Sequence, residues 1–207
     1  MNVITRTRPE AEEIAASWLQ EFGEALESGN AGAALRCLMP DGHWRDVLAF
    51  TWSVRTFNGA AAIEAALAPR LDAVKPRGFV LPPHRSAPRR VRRAGVDCIE
   101  AIFDFETAAG RAGGVVRLVA QPDGAWRAWT LLTTLEELHG YPDGRPKAMS
   151  DAEKFSRDFG GENWADQRRR AQAYEDRDPT VLVVGGGQAG LSAAARLGHL
   201  GVDTLVI

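Results

Sequence analysis

From Ile14 the apolar residues Trp18, Phe22 and Leu26 recur at every fourth position, a spacing that lines one face of an α-helix. Thr7-Arg8-Pro9-Glu10 has the form of a capping box with proline in the first turn, so the helix should start there and end at Ser28-Gly29-Asn30. A second short helix is predicted over 31–39, stopped by the turn signal Pro40-Asp41-Gly42. Residues 43–55 are rich in aromatic and β-branched side chains and predict one or two strands. Asn58-Gly59 then caps a third helix through Ile63, Leu67 and Leu71, which Pro69 should bend or end.

Beyond that helix the pattern changes to period two. Ile99, Ala101, Phe103 and Phe105 fall on one face and Glu100, Asp104 and Glu106 on the other, predicting a strand with one wet face. A turn is expected over 110–114, a strand over 115–121, a turn at Pro122-Asp123-Gly124 and a strand over 125–135. Residues 80–96 contain Pro82, Pro83 and Pro88 and should form an edge. Helices followed by a meandering antiparallel sheet predict an α+β domain over 1–138, long enough for one core.

Residues 139–178 are polar, with a turn-rich break at Tyr141-Pro142-Asp143-Gly144-Arg145-Pro146 and a charged helix predicted over 163–174, and read as a linker or arm. The last segment, 179–207, is different. Val181-Leu182-Val183-Val184 reads as a buried strand, a helical pattern starts at Gln188, and Thr204-Leu205-Val206-Ile207 is a second apolar run. Between strand and helix, Gly185, Gly187 and Gly190 give G-x-G-x-x-G.

That spacing in that context is the phosphate-binding turn of a βαβ unit. Gly185 allows the reversal, Gly187 lets a pyrophosphate approach the backbone, and Gly190 lets helix and strand lie close, a seam that Ala194 and Gly198 should extend. The helix N-terminus offers amide donors and a partial positive charge. The other reading is a glycine-rich turn without a ligand. The acidic ribose-binding residue is due about 20 positions past the glycines, and Ile207 is the last residue here. The chain is therefore expected to be the N-terminal part of a longer protein, and FAD and NAD stay open at the glycine loop.

Composition narrows the class. The 207 residues are 45% hydrophobic and 25% charged with a net charge of −2, which fits a soluble globular protein and not a general nucleic-acid binder. Cys37 and Cys98 are too few for a disulfide framework or metal cluster and read as free thiols in a reducing compartment, the cytoplasm. Neither a signal peptide nor an apolar run of about 18 residues is visible, so no membrane partner is expected.

Two further clusters carry candidate chemistry. Asp46 shares an alternating face with Trp44, Leu48, Phe50 and Trp52, and a carboxylate in apolar surroundings can serve as an acid or base. With His43 or Asp41 it could form a catalytic pair; the plainer reading is a structural carboxylate paired with Arg45 or Arg55. His84, His139 and His199 have no metal-ligand spacing, so no metal is expected. The basic run His84–Arg93 lacks aromatics for base stacking, and Glu100, Asp104 and Glu106 are placed to face it as a solvated ion-paired surface. Trp126 and Trp129 fall on opposite faces of one strand, one for the core and one for a pocket or subunit contact.

Residues 9–137, through Gly42-His43-Trp44-Arg45-Asp46, Phe50-Thr51-Trp52 and Phe57-Asn58-Gly59, resemble the SnoaL-like (nuclear-transport-factor-like) cone fold. Residues 178–207 resemble the FAD-binding start of flavin-containing monooxygenases. The two resemblances together imply an α+β cone-like domain followed by the first βαβ unit of a Rossmann-type FAD-binding domain. They further imply FAD at Gly185, Gly187 and Gly190 with backbone donors from Gln188 and Ala189, NADPH held by a second motif downstream, and transfer of one oxygen atom to a small organic substrate. This chain alone would be inactive, and a homodimer through the cone domain is implied. The alternatives are a cone-fold binding or dimerisation module, or a cone-fold isomerase or cyclase using Asp46 and His43.

Overall fold

The computed structural model describes residues 7–141, 163–175 and 177–207, in two compact units, Met1–Pro142 and Asp143–Ile207. In the first unit α1 (Thr7–Glu27) presents the expected stripe: Trp18, Phe22 and Leu26 are buried together with Ala11, Ala15 and Leu19. Burying an indole strands its N–H unless a partner is found; Trp18 Nε1 donates to the Cys37 carbonyl at 2.8 Å. α2 (Ala31–Arg36) is capped by Asn30, whose Oδ1 accepts from the Ala33 amide at 2.9 Å.

The Pro40-Asp41-Gly42 turn expected from sequence is not a chain reversal. It lies inside β1 (Leu38–Val47), and α2 stops at Arg36. The reason is a bulge: β1 matches Leu38 to Ala128 and resumes at His43 opposite Thr130, so the intervening residues are looped out and Pro40 needs no ladder N–H. β2 (Val54–Asn58) pairs antiparallel with β1. Gly59, with φ +79°, is the N-cap of α3 (Ala60–Leu67), while Asn58 stays in β2. Pro69 sits in a 3-10 turn, Ala68–Arg70, before α4 (Leu71–Val74).

The remaining strands are β3 (Arg77–Val80), β4 (Arg89–Arg93), β5 (Val96–Glu106), β6 (Gly110–Ala120) and β7 (Trp126–Leu138). The order is β2-β1-β7-β6-β5-β3, with β4 also on β5, and β1 runs parallel to β7 while the other pairs are antiparallel. The sheet is therefore mixed, where a simple antiparallel meander was expected; the unit is α+β. Trp44, Leu131, Val116 and Ala101 stand opposite one another on successive strands and are all buried, and the helices cover this face. The next row inward is Asp46, Thr133, Gly114 and Phe103. Gly114 belongs to β6 and not to a turn: a Cβ there would collide with the Phe103 ring, so the glycine lets that ring lie across the strand.

β3 and β4, separated by Pro82, Pro83 and Pro88, both pair with β5 as the edge expected from those prolines. Glu100 on β5 takes Arg89 at 3.1 Å, Arg93 at 2.9 Å and Arg117 at 3.0 Å, and Arg85 meets Asp104 and Glu136, so the basic run is an ion-paired strand face.

In the second unit α5 (Trp164–Ala173) is the charged helix, capped by Asn163. Apart from Tyr141, the turn-rich break at 141–146 lies outside the described residues. β8 (Val181–Val183) and β9 (Thr204–Val206) are parallel neighbours joined through α6 (Gln188–His199). Tyr174, just past α5, donates to Asp203 at 2.6 Å, and Arg177 meets the same carboxylate at 3.1 Å.

Candidate functional site

The glycine loop follows β8. Gly185 has φ +105°, which an L side chain would strain, and its amide donates to the Ile207 carbonyl at 2.6 Å, tying the reversal to the end of β9. A Cβ on Gly190 would collide with the Gly185 carbonyl oxygen, so the first turn of α6 can reach the loop only without a side chain there. Gly187, the N-cap of α6, is different. Its backbone is ordinary and extended (φ −75°, ψ −179°), and no heavy atom lies within 4 Å of the position a Cβ would take. Nothing in the described fold requires this residue to be glycine.

The first intrahelical bond of α6 runs from the Leu191 amide to the Gly187 carbonyl at 2.9 Å, so the Gln188, Ala189 and Gly190 amides precede it and point out of the helix end. Arg196 and His199 in the last turn complement the dipole that makes this end positive. Ala194 is half-buried on the strand side, but a Cβ on Gly198 would meet open space, so the close seam stops short of Gly198.

Asp46 is the second candidate. It is 0% exposed, and its carboxylate accepts from the Phe50 amide at 3.1 Å, the Thr51 amide at 2.8 Å, the Thr51 hydroxyl at 2.7 Å and the Thr133 hydroxyl at 2.7 Å. Trp44 Nε1 donates to Thr133 Oγ1 at 2.9 Å, so the indole, hydroxyl and carboxylate form a buried relay of hydrogen bonds. Neither Arg45 nor Arg55 is its partner: Arg45 lies on the outer face and donates to Thr56 at 3.0 Å. His43 is also on the outer face, exposed, with Nδ1 at 2.8 Å from Asn58 Oδ1, and Asp41 is exposed, so neither is brought to Asp46. The alternation expected through Trp52 breaks at Leu48, whose φ of +68° turns the chain; Leu48 and Trp52 are exposed while Trp44 and Phe50 are buried.

The space beside the carboxylate is filled. Trp44 stacks on Phe57 with centroids 5.1 Å apart and meets Phe50 edge-on at 5.5 Å, and Phe50 stacks on Phe105 at 5.8 Å. The cavity left among Phe22, Trp44, Phe50, Ile63, Leu131 and Thr133 is about 10 Å³, at or below what one water needs. Burial pushes the Cys37 thiol up to about 12, with the Glu21 carboxylate adding to it, so Cys37 stays a neutral thiol. Among the described residues no group of three or more His, Cys, Asp or Glu side chains is arranged to hold a metal ion, and no helix is long and apolar enough to cross a membrane.

The sequence reading missed Thr133, Thr51 and Arg70. Thr133 carried a usable signal, a hydroxyl on the inward face of β7 in line with Leu131.

No protein family's profile matches the chain, and no curated protein does. Among solved structures, an NTF2-like protein with a cystatin-like fold from Novosphingobium aromaticivorans is similar over 61% of this chain and 82% of its own, at 17% identity and a TM-score of 0.44. A ketosteroid isomerase-like protein from Erwinia carotovora atroseptica is similar over 60% and 95%, at 9% identity and a TM-score of 0.45. A putative calcium/calmodulin dependent protein kinase II association domain from Xanthomonas campestris is similar over 59% and 85%, at 15% identity and a TM-score of 0.44.

Proposed function

We propose that Gly185–Gly190 is the diphosphate-binding turn of a dinucleotide site, FAD in the flavin-containing monooxygenase reading, and that the protein takes part in NADPH-dependent oxygenation of a small organic substrate. The observation that carries this is Gly187. Gly185 is explained by its positive φ and Gly190 by the Gly185 carbonyl, but the described fold leaves the space over Gly187 empty of its own atoms. A bare backbone beside outward-pointing amides suits close approach of a pyrophosphate. The Gln188 and Ala189 amides would hold its oxygens, and the positive end of α6 would offset its charge without a basic side chain. When bound, FAD supplies acceptance of reducing equivalents from NADPH and activation of O₂. The chain's own part is to seat and orient the phosphates.

Replacing Gly187 by Val tests this directly, since the fold has room for the side chain. The 207-residue protein is expected to quench FAD fluorescence on titration, and Gly187→Val to lose that response with its circular dichroism unchanged. Unaltered binding by the variant, or no response of the parent to either FAD or NAD(H), would sink the reading; a response to NAD(H) alone would keep the dinucleotide and drop the flavin.

A second reading, that the first unit is an association module, is favoured by its filled interior and by its outer sheet face. There Leu132, Val115 and Ile102 lie side by side, half-exposed, beside Arg45, and Val54 at the sheet edge is 56% exposed. An isomerase or cyclase using Asp46 would need a substrate to reach a carboxylate with 0% exposure.

A further inference from the structure

At the rim of the first unit a groove of about 420 Å³ opens between the 48–53 loop, the α4 region and the link from β5 to β6. All of its lining residues belong to the first unit, and it shares the Phe50 ring with the small interior gap. Its buried lining is Ala49, Phe50 and Val74 with Thr107, whose hydroxyl is turned to the Gly110 carbonyl at 2.9 Å, and its more exposed lining includes Trp52 and Arg70.

Trp52 is held there against two tendencies. A tryptophan normally buries its ring, yet this one is 59% exposed; and a bulky residue avoids positive φ, yet its φ is +53°. The loop is fixed from below: the Asp46 carboxylate takes the Phe50 and Thr51 amides, and the Leu48 amide closes the turn on the Ser53 carbonyl at 3.2 Å. Strain kept by such over-determination clusters at binding and catalytic sites. The indole is presented by a rigid support, which lowers the entropy lost on stacking a ligand against it.

Arg70 supplies the second half of a site. Its Nη1 donates to the Ala66 carbonyl at 2.6 Å, and no described carboxylate pairs with it. The remaining guanidinium donors sit beside an apolar wall, where a charge-assisted bond to an anion is strongest.

We propose that this groove binds a flat aromatic carboxylate, its ring against Trp52 and its carboxylate on Arg70. The volume falls in the range of small-molecule pockets, about 300–1,000 Å³. An aliphatic acid would leave the indole face unused, and a neutral arene would leave the guanidinium unpaired. The site lies in the first unit and stands whether or not the dinucleotide reading holds.

The test is a titration of the 207-residue protein with 1-naphthoate, followed by the indole N–H signals in a ¹H–¹⁵N NMR spectrum, beside the neutral analogue 1-naphthalenemethanol. Saturable movement of the Trp52 signal is expected with naphthoate, with binding weaker by roughly tenfold for the alcohol and for Arg70→Gln, the loss of one charge-assisted bond. Trp52→Gly, which accepts a positive φ, should abolish binding and leave the other signals in place; should it disturb the whole spectrum, Arg70→Gln decides. No saturable shift at millimolar naphthoate, equal binding of the alcohol, wild-type affinity in Arg70→Gln, or shifts centred on other tryptophans would overturn the assignment.

Discussion

Asp46 shows how one residue can be placed correctly by pattern and still be misread in its role. Its inward position follows from the alternation with Trp44, but its partners do not: Thr133 is 87 residues away, and Thr51 depends on a turn that starts with a positive φ at Leu48. Arg45 is on the opposite face of the strand, and Arg55, although it is paired with Asp46 across β1 and β2, is exposed while the carboxylate is buried. Because the carboxylate accepts only from donors, Asp46→Asn would aim an amide NH₂ at the Phe50 and Thr51 amides or at the Thr133 hydroxyl. The expected result is a loss of about 3 kcal/mol, read as a lower urea midpoint. An unchanged midpoint would mean that the carboxylate does not hold the loop. By contrast, the roles of Gly185 and Gly190 were legible in advance, because each answers to backbone geometry within a few residues.

Among the elements, those defined by local signals were legible and those defined by distant pairing were not. The α1 stripe, the period-two face of β5 and the proline-broken edge all appear as expected. The parallel union of β1 with β7 has no local signature, and Gly110, Gly113 and Gly114 look like a turn until their cross-strand neighbours Glu137, Glu136 and Phe103 are in place. The β4–β5–β6 face yields a pH prediction. Hydrogen bonds from Arg93, then Arg89 and Arg117, lower the Glu100 carboxyl from 4.5 to about 2 despite partial desolvation. A depressed carboxyl contributes stability that is complete above its unfolded value and lost as pH falls towards its folded one, so the loss should run from about pH 4.5 down to about 2. The guanidiniums are partly exposed and salt-screened, which limits the effect to on the order of 1–2 kcal/mol. Glu100→Gln should flatten the acid limb of a stability-against-pH curve in that window; an identical limb in the variant would assign acid sensitivity elsewhere.

At the scale of the molecule the two units differ in how they are held. The first has a continuous core from Ala11 to Leu131, while none of the α6 residues is buried and β8 and β9 are half-buried or exposed. If the first unit associates through its outer sheet face, the 207-residue protein should sediment as a dimer at micromolar concentration. Leu132→Glu, which sets a charge amid Val115 and Arg45, should give a folded monomer. A parent that is already monomeric would remove the association reading. The near-absence of free space inside the first unit bears on what could be made of it. Leu131→Ala would turn the residual gap between α1, α3 and the sheet into a dry apolar chamber, with Thr133 occupied by Trp44 and Asp46 and so unable to anchor water. Such a chamber should take up xenon or benzene, making a closed wall into a receptor by the loss of three side-chain carbons.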